Sequence, residues 1–167
     1  ITSCARFRSQ DETQQSAQSF VPSSQKSSSP QSSNESRKTA ASAEYHFSMA
    51  QAYSAEGNPD RAIEEYKLTL MYDPNSALVH ARLAAEYIKK GTLSLALDSS
   101  KAALRIDPNF VDARLMLAGL YSSMNQEPLA LAEYNRILEQ DSTHSEAAVY
   151  KAQTLAEMDK PAEALQT

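Results

Sequence analysis

One cysteine, three glycines, three histidines and no long apolar run are found among the 167 residues. Each scarcity closes off a class of function. With Cys4 as the sole cysteine no disulfide can form within the chain, and cysteine usage says nothing of the redox compartment. Three glycines do not furnish a phosphate-cradling loop, and neither an HExxH pattern nor a nucleophile elbow occurs. His46 and His80 are too far apart to form an i, i+4 ligand pair, so the histidines are expected to pack rather than to bind a metal. Acidic neighbours such as Glu64 and Glu65 read as solvated helix face, not as a paired acid and base. No segment approaches the ~18 to 20 apolar residues of a membrane-spanning helix. The chain is therefore expected to be noncatalytic, with no cofactor.

A basic stripe is missing as well. Residues 1–42 carry five basic and three acidic side chains, whereas residues 43–167 carry 11 basic and 18 acidic. Phosphate backbones need clustered cations, so the acidic part argues against a nucleic-acid partner. The first 42 residues also hold 13 serines and 6 glutamines, and their only large apolar residues are Ile1, Phe7, Phe20 and Val21. So little apolar surface does not offset an ordering cost of about 1–2 kcal/mol per residue. Residues 1–42 are expected to form a disordered leader or tether.

What is present is a repeat. Setting Ala43 onward against Ala77 onward, a shift of 34 positions, gives eleven identities: Ala43/Ala77, His46/His80, Ala50/Ala84, Tyr53/Tyr87, Gly57/Gly91, Ala62/Ala96, Lys67/Lys101, Leu70/Leu104, Asp73/Asp107, Pro74/Pro108 and Asn75/Asn109. A third copy from Val111 keeps Ala118, Tyr121, Ala130, Tyr134, Leu138 and Asp141, and a fourth from Ser145 keeps Ala152 and Ala164. Within the first copy Tyr45, Met49, Ala52 and Tyr53 fall at helical spacing. Gly57-Asn58 then interrupts, and Ala62, Ile63, Tyr66 and Leu70 resume the period before Asp73-Pro74. Each copy is thus a helical hairpin. Gly57, Gly91, Asn125 and Asp159 occupy the turn, being the residue types that tolerate a left-handed backbone. Pro59, Pro128 and Pro161 fall in the next first turn, where an absent amide hydrogen costs nothing.

The period and its small, aromatic and Asp-Pro positions resemble the tetratricopeptide repeat, over residues 43–76, 77–110, 111–144 and a shortened 145–167. The resemblance implies an all-α fold, an α-solenoid of antiparallel helical hairpins after the disordered N-terminal segment. Small residues at Ala50, Ala84, Ala118 and Ala152, and at Ala62, Ala96, Ala130 and Ala164, would let helices approach. Tyr53, Tyr87 and Tyr121 would fill the space beside them. In this family the first helix of each repeat lines a concave surface. That places Phe47, Gln51 and Ser54; Arg82, Ala85, Ile88 and Lys89; Leu115, Met116, Gly119 and Ser122; and Val149, Tyr150 and Gln153 on the expected binding face. Some members grip a chaperone's acidic carboxy-terminus with several Lys, Arg and Asn residues. The matching positions here hold Phe47, Gln51, Arg82, Asp112 and Met116, so that clamp is not expected. The resemblance implies instead a groove with an apolar floor and one or two positive charges, for a protein or peptide partner with an apolar anchor and one acidic group. Internal packing of Leu115, Met116, Val149 and Tyr150 is the bland alternative.

Ile1-Thr2-Ser3-Cys4 resembles the end of a bacterial lipoprotein signal peptide, which implies lipidation of Cys4. Residues 5–42 would then be a tether of roughly 35 Å, and Ala5 after the cysteine is what the family's sorting rule associates with the outer membrane, at its periplasmic face. An incidental thiol and an organelle targeting segment are the alternatives, the latter weakened by Asp11 and Glu12. The expected function is a protein-interaction scaffold, held by a lipid anchor and assisting envelope assembly. The rivals are a regulatory repeat domain of a larger enzyme and a soluble, cytoplasmic co-chaperone.

Overall fold

The computed structural model describes residues 30–159 and 161–164, and every element it describes is a helix. In chain order these are α1 (Pro30–Ala55), α2 (Pro59–Tyr72), α3 (Ala77–Lys89), α4 (Leu93–Ile106), α5 (Val111–Ser123), α6 (Glu127–Gln140), α7 (Ser145–Glu157) and α8 (Pro161–Ala164). The starts of α3, α5 and α7 fall on the expected repeat boundaries. Consecutive helices pack on one another throughout, and α3 also touches α5, which makes the molecule an all-α solenoid of stacked hairpins.

One chemistry closes every hairpin. Gly57 and Gly91 have φ of 73°, Asn125 has 54° and Asp159 has 59°, so all four turn positions are left-handed. The residue after each of the first three donates its amide to a tyrosine carbonyl five positions back: Asn58 to Tyr53, Thr92 to Tyr87 and Gln126 to Tyr121, each at 2.9 Å. This caps the orphan carbonyls of the first helix in a Schellman motif. The second helices stop at Asp73, Asp107 and Asp141, whose amides reach back to Thr69, Ala103 and Ile137. The Asp107 and Asp141 carboxylates then turn the chain by accepting from the amides of Asn109 and Thr143 at 2.9 Å. His144 is spoken for in the same economical way, its Nδ1 accepting the Ala147 amide to cap α7.

The seams are lined as expected. Ala50, Ala62, Ala84, Ala96, Ala118 and Ala130 are fully buried, so backbones approach where a larger side chain would hold them apart. Tyr87 is buried beside them, while Tyr53 and Tyr121 are half-buried, as is Ala152 in α7. Successive repeats are also joined by cations laid over these rings, Lys67 over Tyr87 at 6.0 Å and Lys101 over Tyr121 at 5.7 Å.

Two expectations need correction. α1 starts at Pro30, well before Ala43, so residues 30–42 form helix rather than disordered tether. Residues 34–41 are solvent-exposed, and nothing after Pro30 breaks a helix whose far end is anchored by the buried Ala50; hydroxyls of Thr39 and Ser48 fold back onto the carbonyls of Ser36 and Glu44. Residues 1–29, with Cys4, lie outside the described residues. Secondly, Glu65 is not simply solvated face: its carboxylate lies 2.7 Å from His46 Nδ1, and the imidazole stacks on Tyr72 with centroids 5.6 Å apart. The third repeat holds a more deeply buried pair at the same two positions, where Arg114 Nη1 donates to Glu133 at 2.6 Å.

Candidate peptide-binding groove

A helix turns about 100° per residue, so Asp112, Leu115, Met116, Gly119 and Ser122 share one face of α5, while Arg114, Leu117 and Tyr121 occupy the opposite one. The first set faces two clefts. One, of about 580 Å³, lies between α5 and α7 and is lined by Leu115, Met116, Gly119, Ser122, Tyr134, Glu146, Tyr150, Gln153 and Glu157, among others. The other, of about 290 Å³, lies between α3 and α5 and takes in Leu78, Arg82, Ala85, Phe110, Asp112 and again Leu115, Met116 and Glu146. The shared residues make the two clefts one trough across three repeats.

Its floor is apolar and in one place open. A Cβ added to Gly119 would meet nothing within 4 Å, so the glycine leaves room rather than relieving a close approach. Beside it the Tyr150 ring leans on Tyr134 with centroids 6.1 Å apart, and Tyr150 is 42% exposed. Burial pushes the Tyr134 hydroxyl above its ordinary pKa, the Ser122 hydroxyl opposes it, and Tyr150, Glu157 and Glu146 act with burial; both carboxylates line that end of the trough.

Of the residues expected on the binding face, Arg82, Ala85, Leu115, Met116, Gly119, Ser122, Tyr150 and Gln153 line the trough. The others line neither cleft. Phe47 is turned into the hairpin, half-buried with its ring 6.0 Å from that of Tyr66. Gln51 and Val149 are exposed beyond the clefts, as is Ile88. Lys89 is exposed but engaged: its Nζ is 2.7 Å from Glu86 and 2.9 Å from the Ser54 hydroxyl, which itself donates to Glu86 at 2.6 Å. Glu86 is buried between α1 and α3, and Lys89 is the cation that makes its charge tolerable there.

One lining cation falls within the expected one or two, but the groove also carries acids that were not expected. With Lys89 committed to Glu86, Arg82 is the lining base, and Asp112, Glu146 and Glu157 are lining acids. Glu146 and Glu157 escaped notice because a carboxylate in the first or last turn of a helix resembles ordinary surface. Their shared direction follows from the helical period, 146, 150, 153 and 157 being one stripe of α7. Among the described residues no group of three or more His, Cys, Asp or Glu side chains is arranged to hold a metal ion, and no helix is long and apolar enough to cross a membrane.

Among solved structures, a crystal structure of MamA superposes with a TM-score of 0.71 at 20% identity, covering 81% of this chain and 80% of that one. The first TPR of Spaghetti (RPAP3), bound to the HSP90 peptide SRMEEVD, gives 0.67 at 18% identity, covering 71% and 96%. A tetratricopeptide repeat protein from Parabacteroides merdae gives 0.71 at 22% identity, covering 75% and 50%. At such identities the likeness concerns the fold. No curated protein matches in sequence. Family models described as tetratricopeptide repeat match residues 43–76 and 87–141, together more than half of the chain. On the period, the stacked hairpins and these matches, the chain belongs to the tetratricopeptide repeat family.

Proposed function

We propose that this chain is a noncatalytic scaffold that holds an extended segment of a partner protein along the trough formed by α3, α5 and α7. The observation that carries the reading is the continuity of the two clefts through Leu115, Met116 and Glu146, which gives one peptide a run of apolar floor bordered by charge. A similar fold that holds a short peptide supports it. The lining acids outnumber the lining base, so the segment that fits has an apolar or aromatic anchor flanked by lysine or arginine, not the acidic group expected from Arg82 alone.

The test is steric. Gly119→Trp would fill the open floor at a helical position where an added Cβ meets nothing within 4 Å. A labelled peptide with an aromatic anchor and basic flanks should bind the native chain and lose about tenfold or more in affinity to the variant, at unchanged melting temperature. Equal binding to both would place the partner elsewhere.

The lipid anchor at Cys4, an outer-membrane location and a part in envelope assembly belong to the same proposal and rest on the first four residues. Mass spectrometry of the protein from native membranes tests them, since an unmodified Cys4 thiol removes the anchor.

A further inference from the structure

We propose that the face of α5 turned away from the trough carries a second site, one that takes an acidic segment of a protein partner. A cleft of about 430 Å³ opens there between α4 and α6. Four cations line it, Lys101, Arg105, Arg114 and Arg136, against the single carboxylate of Glu133. That is a local reversal of sign in a chain of net charge −5.

The one acid is already engaged. Glu133 receives Arg114 at 2.6 Å through one oxygen and Arg136 at 2.9 Å through the other. Lys101 rests over the Tyr121 ring, and among the described residues neither Lys101 nor Arg105 forms an ion pair. Arg114 is 7% exposed, donates to the Pro108 carbonyl and to Glu133, and still leaves its Nε without a hydrogen-bond partner. Unpaired cations gathered along one open cleft add up in positive potential, and guanidinium groups pair with carboxylates in a planar, two-point geometry.

The surroundings choose among anions. Leu104, Leu117 and the Tyr121 ring are part of the same lining, and a free inorganic ion would leave that apolar surface uncovered. Aliphatic side chains next to the acids of a peptide would cover it. A nucleic-acid backbone needs the cations to continue, but Asp98 lies one turn before Lys101 on α4 and Glu139 one turn after Arg136 on α6. The patch is a few residues long, which suits a short acidic segment.

The experiment titrates a labelled peptide of about ten residues, alternating glutamate and leucine, and its glutamine analogue into the full chain by fluorescence anisotropy. The glutamate peptide should bind about tenfold tighter than the analogue, lose that margin on Lys101→Glu/Arg105→Glu, and be indifferent to Gly119→Trp. If the double variant melts early, Arg105→Gln replaces it and should give a smaller loss in the same direction. Equal affinity for the two peptides, no binding of either, no loss on removing the cations, or tighter binding of a single-stranded oligonucleotide would each overturn the assignment. Loss on Gly119→Trp would move the peptide to the trough.

Discussion

Arg114 shows how much one position decides in a repeat protein. It occupies the place that holds His46 and His80 in the preceding copies, and its partner Glu133 stands where the first copy has Glu65. Both members are buried, so removing Glu133 strands Arg114 in a medium that solvates it poorly, whereas removing Arg114 leaves Glu133 with Arg136 at 2.9 Å. Glu133→Leu should lower unfolding stability by about 3–5 kcal/mol and Arg114→Met by less, whereas the double replacement should recover most of the larger loss. Urea unfolding of the four proteins completes that cycle, and additive losses would show that the pair is not coupled. His80, in the intervening repeat, carries a different consequence. Burial holds its pKa below the ordinary value of 6.5, Arg105 acts in the same direction, and a hydrogen bond to the Pro74 backbone opposes them. The unfolded chain therefore takes up this proton first as pH falls. Stability present above the ordinary histidine pKa is lost as pH falls through the folded one. Urea midpoints should drop between pH ~7 and pH ~5, and His80→Gln should shrink that drop.

At the scale of the element, the helices were legible and the faces only partly so. The 34-residue period placed the starts of α3, α5 and α7, and the turn residues Gly57, Gly91, Asn125 and Asp159 all proved left-handed, because helix ends are decided by chemistry local to a few residues. Gly91→Ala should cost about 1–2 kcal/mol, since no atom crowds the new methyl and the backbone alone objects. Asn125→Gly, at the same turn one repeat later, should be neutral or slightly stabilising in the same thermal melts. The groove was less legible. Arg82, Leu115, Met116 and Tyr150 follow from the helical stripe, but Phe47 obeys the same stripe and is drawn to Tyr66. Lys89 is lost to Glu86, three positions before it on the same helix; that pairing follows helical spacing, but the burial of Glu86 against Ser54, 32 residues away, follows from no spacing rule. The start of α1 at Pro30 escaped because an exposed helix needs no apolar pattern to announce it.

For the whole molecule, contacts run from each helix to the next, so stability is a sum over neighbours rather than a property of one centre. The interior repeats have a companion on both sides, and α7 at the far end has only the short α8 beyond it among the described residues. Amide hydrogen exchange should therefore be slowest in α3 to α5 and faster toward α7. Uniform protection would mean that the array opens as a single unit. Charge is divided at this scale too, with acids around the inner trough and cations across the outer cleft of the same helix.

The vacancy above Gly119 has an evolutionary corollary. Because the backbone there is ordinary helix and an added Cβ meets nothing within 4 Å, residues other than proline enter without crowding at their first side-chain atom, and the size of each sets a different depth for whatever anchors in the trough. A single codon change can thus retune which polypeptides are accepted while every seam of the stack stays as it was. Paralogues of such a chain would be expected to diverge at this position before they diverge in fold.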